Sequence, residues 1–286
     1  AEAVTDHVAE CDPCRRSVRA YREVFSALSD PCPAVPSDLA ASVLAALPAP
    51  PSADPRTERR SLGRALALAE THDGVFASVG VHPHDAEGCS EAVLAELRRL
   101  AAHPRVRAWG ETGLDFNRMY SPRDVQERWF RPQIEIACEA DLPLIFHERD
   151  SGGRFLEILR EQAPAGLRGV VHCFSGSPAE LEAYLALGLH IGITGIVTMK
   201  TRGRDLRGMI AQIPENRLLV ETDAPYLTPA PERNRHRRNE PAFVRTTLLK
   251  VAQVRGADPE NLAAVIWDNT CRLYGIGDDE IIPGDG

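Results

Sequence analysis

Short apolar runs alternate with amphipathic stretches along most of this 286-residue chain. The apolar runs have the length and the bounding turn residues of β-strands, and the stretches between them repeat apolar residues at helical spacing. Regular alternation of helix and strand produces parallel strands with the helices outside, because each helix carries the chain back to the start of the next strand. We predict strands at residues 75–81, 105–110, 142–147, 168–172, 190–195 and 217–222.

The same pattern indicates an α/β barrel that lacks its first strands. A closed (β/α)₈ barrel needs eight strands, and no apolar strand pattern precedes residue 74. Missing strands would leave two open sheet edges, so we expect low stability or self-association. The predicted helices lie at residues 57–72, 90–102, 123–140, 153–163, 177–188, 204–213, 240–255 and 258–274.

Composition is that of a globular protein from a reducing compartment. Hydrophobic residues make up 43% and charged residues 26% of the chain, which is ordinary for folded domains. No apolar run is long enough to predict a membrane span, and the first residues lack the pattern of a secretory signal. The cysteine count of seven is odd, which argues against a disulfide framework. We therefore expect a cytoplasmic protein with no membrane partner.

Four residues that can bind a metal or move a proton follow these apolar runs. They are spaced by one or two β/α units, so they fall at the carboxyl ends of parallel strands, where barrel active sites lie. Any single histidine or glutamate at a strand end is more commonly structural, but a set of four in one register favours a metal site. Imidazole and carboxylate together suit Zn²⁺, Mn²⁺ or Fe²⁺. The four residues are Glu111, His147, His172 and Asp223.

The motifs GVHPHDA, GETGLDF, FHERD, HCFSG, ETDAPYLTP and RNEP resemble those of the TatD family of metal-dependent deoxyribonucleases over residues 57–275. The resemblance implies a (β/α)₈ barrel that hydrolyses phosphodiesters, often as a 3′–5′ exonuclease on DNA. It implies that one or two divalent cations (Mg²⁺, Mn²⁺ or Zn²⁺) bind there, with Glu111 as the bridging ligand. His147 and His172 would hold one cation. Asp223 would belong to the other cation and to water activation, and His82 would line the substrate pocket.

Basic residues concentrate in the loops after the last two predicted strands, although the net charge of the chain is −8. The net charge disfavours broad nonspecific binding to nucleic acid but allows a local basic site. Arginine can grip phosphate oxygens with two parallel hydrogen bonds, and the alternative is an ordinary solvated loop. We predict that Arg233, Arg237 and Asn239 contact the substrate. Tyr226 and Phe116 could stack a base, although packing is the more common role for either.

The first 56 residues have a different character. His7, Cys11 and Cys14 have the spacing of a partial zinc site, and residues 1–30 resemble the zinc-binding region of anti-sigma factors. A segment rich in proline follows at residues 31–56 and is predicted to be a linker. The family's first strand carries a His-x-His pair that is absent from this part of the chain.

Two competing functions remain open on the sequence alone. The N-terminal segment could bind a sigma-like protein and make the chain an inactive or regulatory protein. A related amidohydrolase acting on C–N or lactone bonds would use the same kinds of metal ligand, and the basic loops favour a phosphate substrate over its substrates.

The remaining residues, 276–286, are acidic and rich in glycine and proline, and are predicted to be a disordered tail.

Overall fold

The computed structural model describes residues 65–72, 74–162, 166–277 and 280 of the chain. The predicted anti-sigma-like region at 1–30, with its zinc ligands His7, Cys11 and Cys14, and the predicted linker at 31–56 lie outside these residues. Residues 65–71 are helical and form the first described element.

The described residues form one six-stranded parallel sheet in which each strand pairs with the next along the chain. This order is that of successive β/α units and confirms the predicted alternation and the barrel-type α/β fold. Every strand residue is buried or partly buried, as expected where helices cover a parallel sheet. The strands are β1 (Ala77–Val79), β2 (Val106–Asp115), β3 (Leu144–Arg149), β4 (Gly169–Val171), β5 (His190–Ile193) and β6 (Leu218–Val220).

Seven α-helices follow the described helical residues 65–71, and several begin with clear capping signals. Ser90, Ser177 and Asp258 each accept hydrogen bonds from backbone N–H groups of the first helical turn. Gly256 and Gly275 end the last two helices in the left-handed conformation. The helices are α1 (Glu91–Ala101), α2 (Arg123–Glu139), α3 (Arg154–Gln162), α4 (Pro178–Ala186), α5 (Arg204–Met209), α6 (Val244–Arg255) and α7 (Pro259–Tyr274).

The two faces of the sheet bury different sets of side chains. Residues such as Trp109, Phe146 and Val171 belong to the main core with the helices, where they are at most 1% exposed. On the other face, Val170 and Leu219 form a small cluster with Leu273 of α7. Successive side chains of a strand point to opposite faces, so the alternation assigns each strand residue to one of these two layers.

Strand β2 is longer than predicted, and this moves Glu111 from a strand end into the strand. The strand continues to Asp115, which lies opposite Arg149 of β3. Gly113 permits this close pairing, because a Cβ atom there would lie 1.9 Å from the carbonyl oxygen of His147. An apolar run alone therefore ended the predicted strand too early.

The described residues of the predicted tail contact the rest of the domain. Ile276 donates a backbone hydrogen bond to Cys271, and Glu280 forms an ion pair with Arg107. The predicted disordered tail therefore begins with residues that contact the domain, and most of its other residues lie outside the described ones.

None of the described helices is long and apolar enough to cross a bilayer. Within the described residues β1 and β6 are the sheet edges, and the expected self-association stays a prediction.

We predict that His190 makes stability depend on pH. The imidazole is 8% exposed, and burial, with the nearby positive charge of Arg217, lowers its pKa to about 4. The unfolded chain, with a pKa near 6.5, takes up this proton first, so the stabilising contribution is complete above that value and is lost as the pH falls toward 4. In His190→Val, the decrease in unfolding free energy between pH 7 and pH 5 should be smaller by about 2 kcal/mol.

Urea titrations at the two pH values would measure this difference, with His72→Gln as the control because His72 lies outside the sheet. The same decrease in the wild-type and His190→Val proteins would contradict the assignment.

Candidate metal centre

We call the face of the sheet that carries the small cluster with Leu273 the inner layer, and that cluster the inner cluster. On this face, polar side chains follow the apolar ones by two positions along the strands. Ile145 and Val170 pack with the small inner cluster, and His147 and His172 follow each of them by two positions. Residues two apart on a strand share a face, so the histidines lie directly above this apolar layer. Glu221 follows Leu219 in the same way. The alternation therefore gathers histidines and a carboxylate at the carboxyl edge of the sheet.

Glu111 lies at the centre of this group. Its Oε2 atom is 3.5 Å from Nε2 of His82 and 3.5 Å from Nδ1 of His147. Its Oε1 atom is 3.8 Å from Nε2 of His172, which is itself 3.5 Å from Oδ1 of Asp223. The structure thus brings together His82 and the four residues that the sequence singled out at the strand ends.

Two further carboxylates lie behind the histidines and fix their rings. Asp115 accepts from Nε2 of His147 at 3.2 Å, and Glu221 accepts from Nδ1 of His172 at 2.8 Å. Each ring therefore has one nitrogen held by a carboxylate while its other nitrogen faces Glu111. This arrangement is typical of metal-binding histidines, whose second nitrogen donates to a carboxylate that orients the ring and raises its basicity.

Sequence reasoning missed Asp115 and Glu221, although both lie inside the quoted motifs GETGLDF and ETDAP. Asp115 is fully buried and also accepts hydrogen bonds from His84 and from the backbone N–H groups of Asn117 and Arg118. A buried carboxylate with this many donors is a strong organising element. The signal that could have found it is its even spacing from Glu111 along one strand.

Glycine makes room for Glu221. A Cβ atom on Gly192 of the neighbouring strand β5 would lie 2.4 Å from Oε1 of Glu221. The backbone bends sharply at two neighbouring positions, because Cys173 and Asp223 have φ values of 49° and 58°. Residues other than glycine rarely adopt this left-handed backbone conformation. Those that do are concentrated at functional sites, where the surrounding structure holds them in place.

Electrostatics keep the central carboxylate charged. Burial alone would raise the pKa of Glu111, but the charge of His172 and hydrogen bonds from His147 and His82 outweigh it and hold the pKa well below its usual range. The histidines respond in the opposite sense. Burial acts to lower the pKa of His172, but the charges of Glu221 and Glu111 raise it well above its usual value.

The other histidines divide by their surroundings. Burial acts to lower the pKa of His147, but hydrogen bonds to Asp115 and Glu111 raise it overall. Burial lowers the pKa of His82, with a further contribution from the neighbouring charge of His147. Its Nδ1 atom accepts from the backbone N–H of His84 at 3.1 Å, so the neutral ring carries its proton on Nε2, directed toward Glu111.

The donor set fits a divalent cation. Neighbouring imidazole nitrogens and carboxylate oxygens lie 3.5 to 3.8 Å apart in the pairs Glu111–His147, Glu111–His172 and His172–Asp223, and this is the mixture of donors that Zn²⁺ and Mn²⁺ accept. The same negative charge that raises the pKa values of His147 and His172 also attracts a cation, which would compete with protons for these nitrogens. The residues that could bind it are Glu111, His147, His172 and Asp223.

The predicted substrate residues lie in the segment after β6. Arg233 and Arg237 are exposed, and a depression of about 640 Å³ is lined by Arg235, His236, Arg237, Arg238 and Glu240. Asn239 differs, because it is 4% exposed and its amide donates to the carbonyl oxygens of Thr222 and Tyr226. Its geometry favours a role in holding the segment together, and substrate contact by its side chain stays a prediction.

We predict that Asp115→Asn weakens binding of Mn²⁺ by about 10- to 100-fold, because the neutral amide no longer orients and polarises His147 and His84. Isothermal titration calorimetry would measure the dissociation constant. Asp150→Asn is the matched control, since Asp150 follows β3 and accepts only from the Asn117 side chain among the hydrogen bonds described for it. Equal losses in both variants, or no loss in Asp115→Asn, would contradict the role given to Asp115.

Comparisons with known proteins identify the family of the chain. A sequence model of the family described as TatD related DNase matches residues 44–275, and so begins within the segment predicted as a linker. The curated protein named 3′-5′ ssDNA/RNA exonuclease TatD from Rahnella sp. (strain Y9602) is 47% identical over 215 residues, covering 74% of this chain and 82% of that protein. The protein of the same name from Erwinia amylovora is 45% identical over 216 residues, with 74% and 83% covered.

Solved structures extend the likeness to the fold. The crystal structure of YJJV, a TatD homologue from Escherichia coli k12, superposes with a TM-score of 0.69 at 30% identity, covering 75% of this chain and 82% of that one. A TatD family hydrolase from Entamoeba histolytica gives a TM-score of 0.67 at 25% identity, with 76% and 82% covered. The predicted zinc-binding region at residues 1–30 lies outside the residues that match the family model. The chain belongs to the TatD family of metal-dependent hydrolases, described as TatD related DNases.

Proposed function

We propose that this chain is a metal-dependent phosphodiesterase that removes nucleotides from the 3′ end of single-stranded DNA or RNA. The observation that carries the proposal is the partly buried Glu111 carboxylate between His147 and His172, each of which is oriented by a second carboxylate. The names of the curated relatives supply the substrate class and the direction of attack.

Glu111, His147, His172 and Asp223 are proposed to hold one or two divalent cations. A bound Mg²⁺, Mn²⁺ or Zn²⁺ supplies Lewis-acid activation of water and neutralises charge on the phosphate. The two oxygens of Glu111 face opposite sides of the site, one toward His147 and the other toward His172, which supports the bridging position. Asp115 and Glu221 position the histidine rings from behind.

Asp223 is the proposed proton acceptor for the attacking water. Its side chain is about one quarter exposed, unlike Asp115, and its Oδ1 atom lies beside His172 rather than in a saturated hydrogen-bond network. His82 is proposed to contact the substrate from the side of the site, because its side chain beside Glu111 is about one quarter exposed. This assignment keeps His82 as a substrate contact.

The exposed arginines after β6 are proposed to bind the phosphates on the 5′ side of the cleaved bond. Arg233 and Arg237 are exposed and follow Asp223 along the chain, and Asn239 ties their segment to Thr222, the residue before Asp223. Arginine suits phosphate because its planar fork makes two parallel hydrogen bonds. Active sites on this kind of scaffold usually combine a rigid centre with loops that contact the substrate.

Replacement of Glu111 by alanine tests the centre itself. We expect Glu111→Ala to bind less metal and to cleave a 3′-labelled single-stranded oligodeoxynucleotide about 100-fold more slowly, because the shared ligand is removed. Metal per chain would be measured by plasma mass spectrometry and cleavage by gel electrophoresis. Glu96→Ala, an exposed change on α1, is the control. Undiminished metal-dependent cleavage by Glu111→Ala would refute the proposed function.

Replacement of Arg237 tests the phosphate contacts. We expect Arg237→Ala to raise KM for single-stranded DNA, and to make the dependence of log affinity on log salt concentration shallower by about 0.7, because one phosphate contact is lost. Binding would be followed by fluorescence anisotropy at several salt concentrations. Arg160→Ala, an exposed arginine on α3, should leave the slope unchanged. If both variants have the wild-type slope, Arg237 is an ordinary solvated residue.

A further inference from the structure

Two tyrosines are exposed beside the metal centre, whereas the other described tyrosines are in the interior. Tyr226 is 67% exposed and Tyr120 is 53% exposed. Tyr184 is fully buried, and Tyr274 packs against the inner cluster. Both exposed rings lie in loops that follow strand carboxyl ends, β2 for Tyr120 and β6 for Tyr226, which is the edge that carries the metal ligands.

Tyr120 is connected to the ligand histidines by direct contacts. Its ring meets the ring of His84 edge to face, with centroids 4.8 Å apart. His84 hydrogen-bonds to Asp115 at 2.7 Å, and Asp115 holds His147. The next residue, Ser121, is fully buried and its hydroxyl joins the backbones of His84 and Glu87. An exposed ring therefore stands on a fixed backbone next to the centre.

Tyr226 occupies the equivalent position on the other side. Its backbone N–H donates to the carbonyl oxygen of Asp223 at 2.7 Å, and its own carbonyl accepts from Asn239 at 2.6 Å. Asn239 directly follows Arg237 and Arg238, which line the basic depression, so this hydrogen bond joins the backbone of Tyr226 to that segment. Tyr226 thus links the proposed proton acceptor to the arginine segment.

Neither ring is buried in the hydrophobic core. Phe116 provides the contrast within the same loop as Tyr120, since it is partly buried against the core and carries the Arg123 guanidinium over its ring at 4.7 Å. A large exposed ring held on a rigid backbone loses little conformational entropy when a flat partner stacks on it. Bases are flat partners, and an arginine segment beside the ring attracts the phosphates that accompany them.

We infer that Tyr120 and Tyr226 stack bases of a single-stranded substrate on the two sides of the metal centre. The inference rests on the proposed function and adds how the chain would recognise its substrate. Stacking needs the faces of the bases, which are covered in a duplex, so the two rings select unpaired ends. Every base has such a face, so the rings discriminate little between sequences.

The test compares a single-stranded oligodeoxynucleotide with the same oligonucleotide whose 3′-terminal nucleotides are abasic. In the presence of Mn²⁺, Tyr120→Ala and Tyr226→Ala should each raise KM for the intact substrate about tenfold, with kcat nearly unchanged. The same variants should have wild-type KM values on the abasic substrate, where there is no base to stack. Tyr120→Phe and Tyr226→Phe should behave like the wild type, because the ring is retained.

Val75→Ala is the matched control, because Val75 is an exposed apolar residue before β1, at the opposite end of the strands. Far-ultraviolet circular dichroism and thermal melting would verify that each variant is folded. Alanine variants that are impaired equally on both substrates, or on neither, would overturn the stacking inference while leaving the proposed function standing. A wild-type protein that degrades neither oligonucleotide would overturn both.

Discussion

The charge of Glu111 is the constraint on which the functional part of the structure depends. A partly buried carboxylate is costly unless opposite charge and hydrogen-bond donors surround it. Here His147 and His172 supply the positive charge, and His82 and His147 supply the hydrogen bonds. Those rings are useful only if their orientation is fixed, which Asp115 and Glu221 accomplish from the second layer. The site is therefore a set of carboxylates and imidazoles of alternating charge, built around one residue, and it has the composition that a divalent cation requires.

The strands position the proposed metal ligands, whereas the loops carry the exposed residues that would contact the substrate. Strands β2, β3, β4 and β6 hold the ligands or lie just before them, and their outward side chains pack in the main core with the helices. The loops after β2 and β6 carry exposed tyrosines and arginines at the same edge. Rigid elements thus carry the groups that need sub-ångström precision, while the loops carry the groups that meet a long and variable polymer.

Much of the fold could be predicted from the chain, because the period of apolar residues distinguishes strands from helices and their alternation requires parallel pairing. The predicted end of β2 was wrong, because this strand continues through residues that are not apolar. Gly110, Glu111 and Gly113 interrupt the apolar run, so β2 was ended before Asp115 and that residue was overlooked. Glu221 was overlooked because its role depends on Gly192, which lies on another strand and leaves the space that it fills.

The sequence by itself determined the strand order, the family and the identity of the residues that gather at the carboxyl edge, since periodicity and motif spacing are local properties of the chain. Tertiary structure alone decided which nitrogen of His147 and of His172 faces Glu111, because carboxylates from other strands hold the opposite nitrogen. It also decided that Asn239 is buried and engaged while Tyr120 and Tyr226 remain exposed. Hydrogen-bond partners and exposure depend on residues distant along the chain, and no local pattern encodes them.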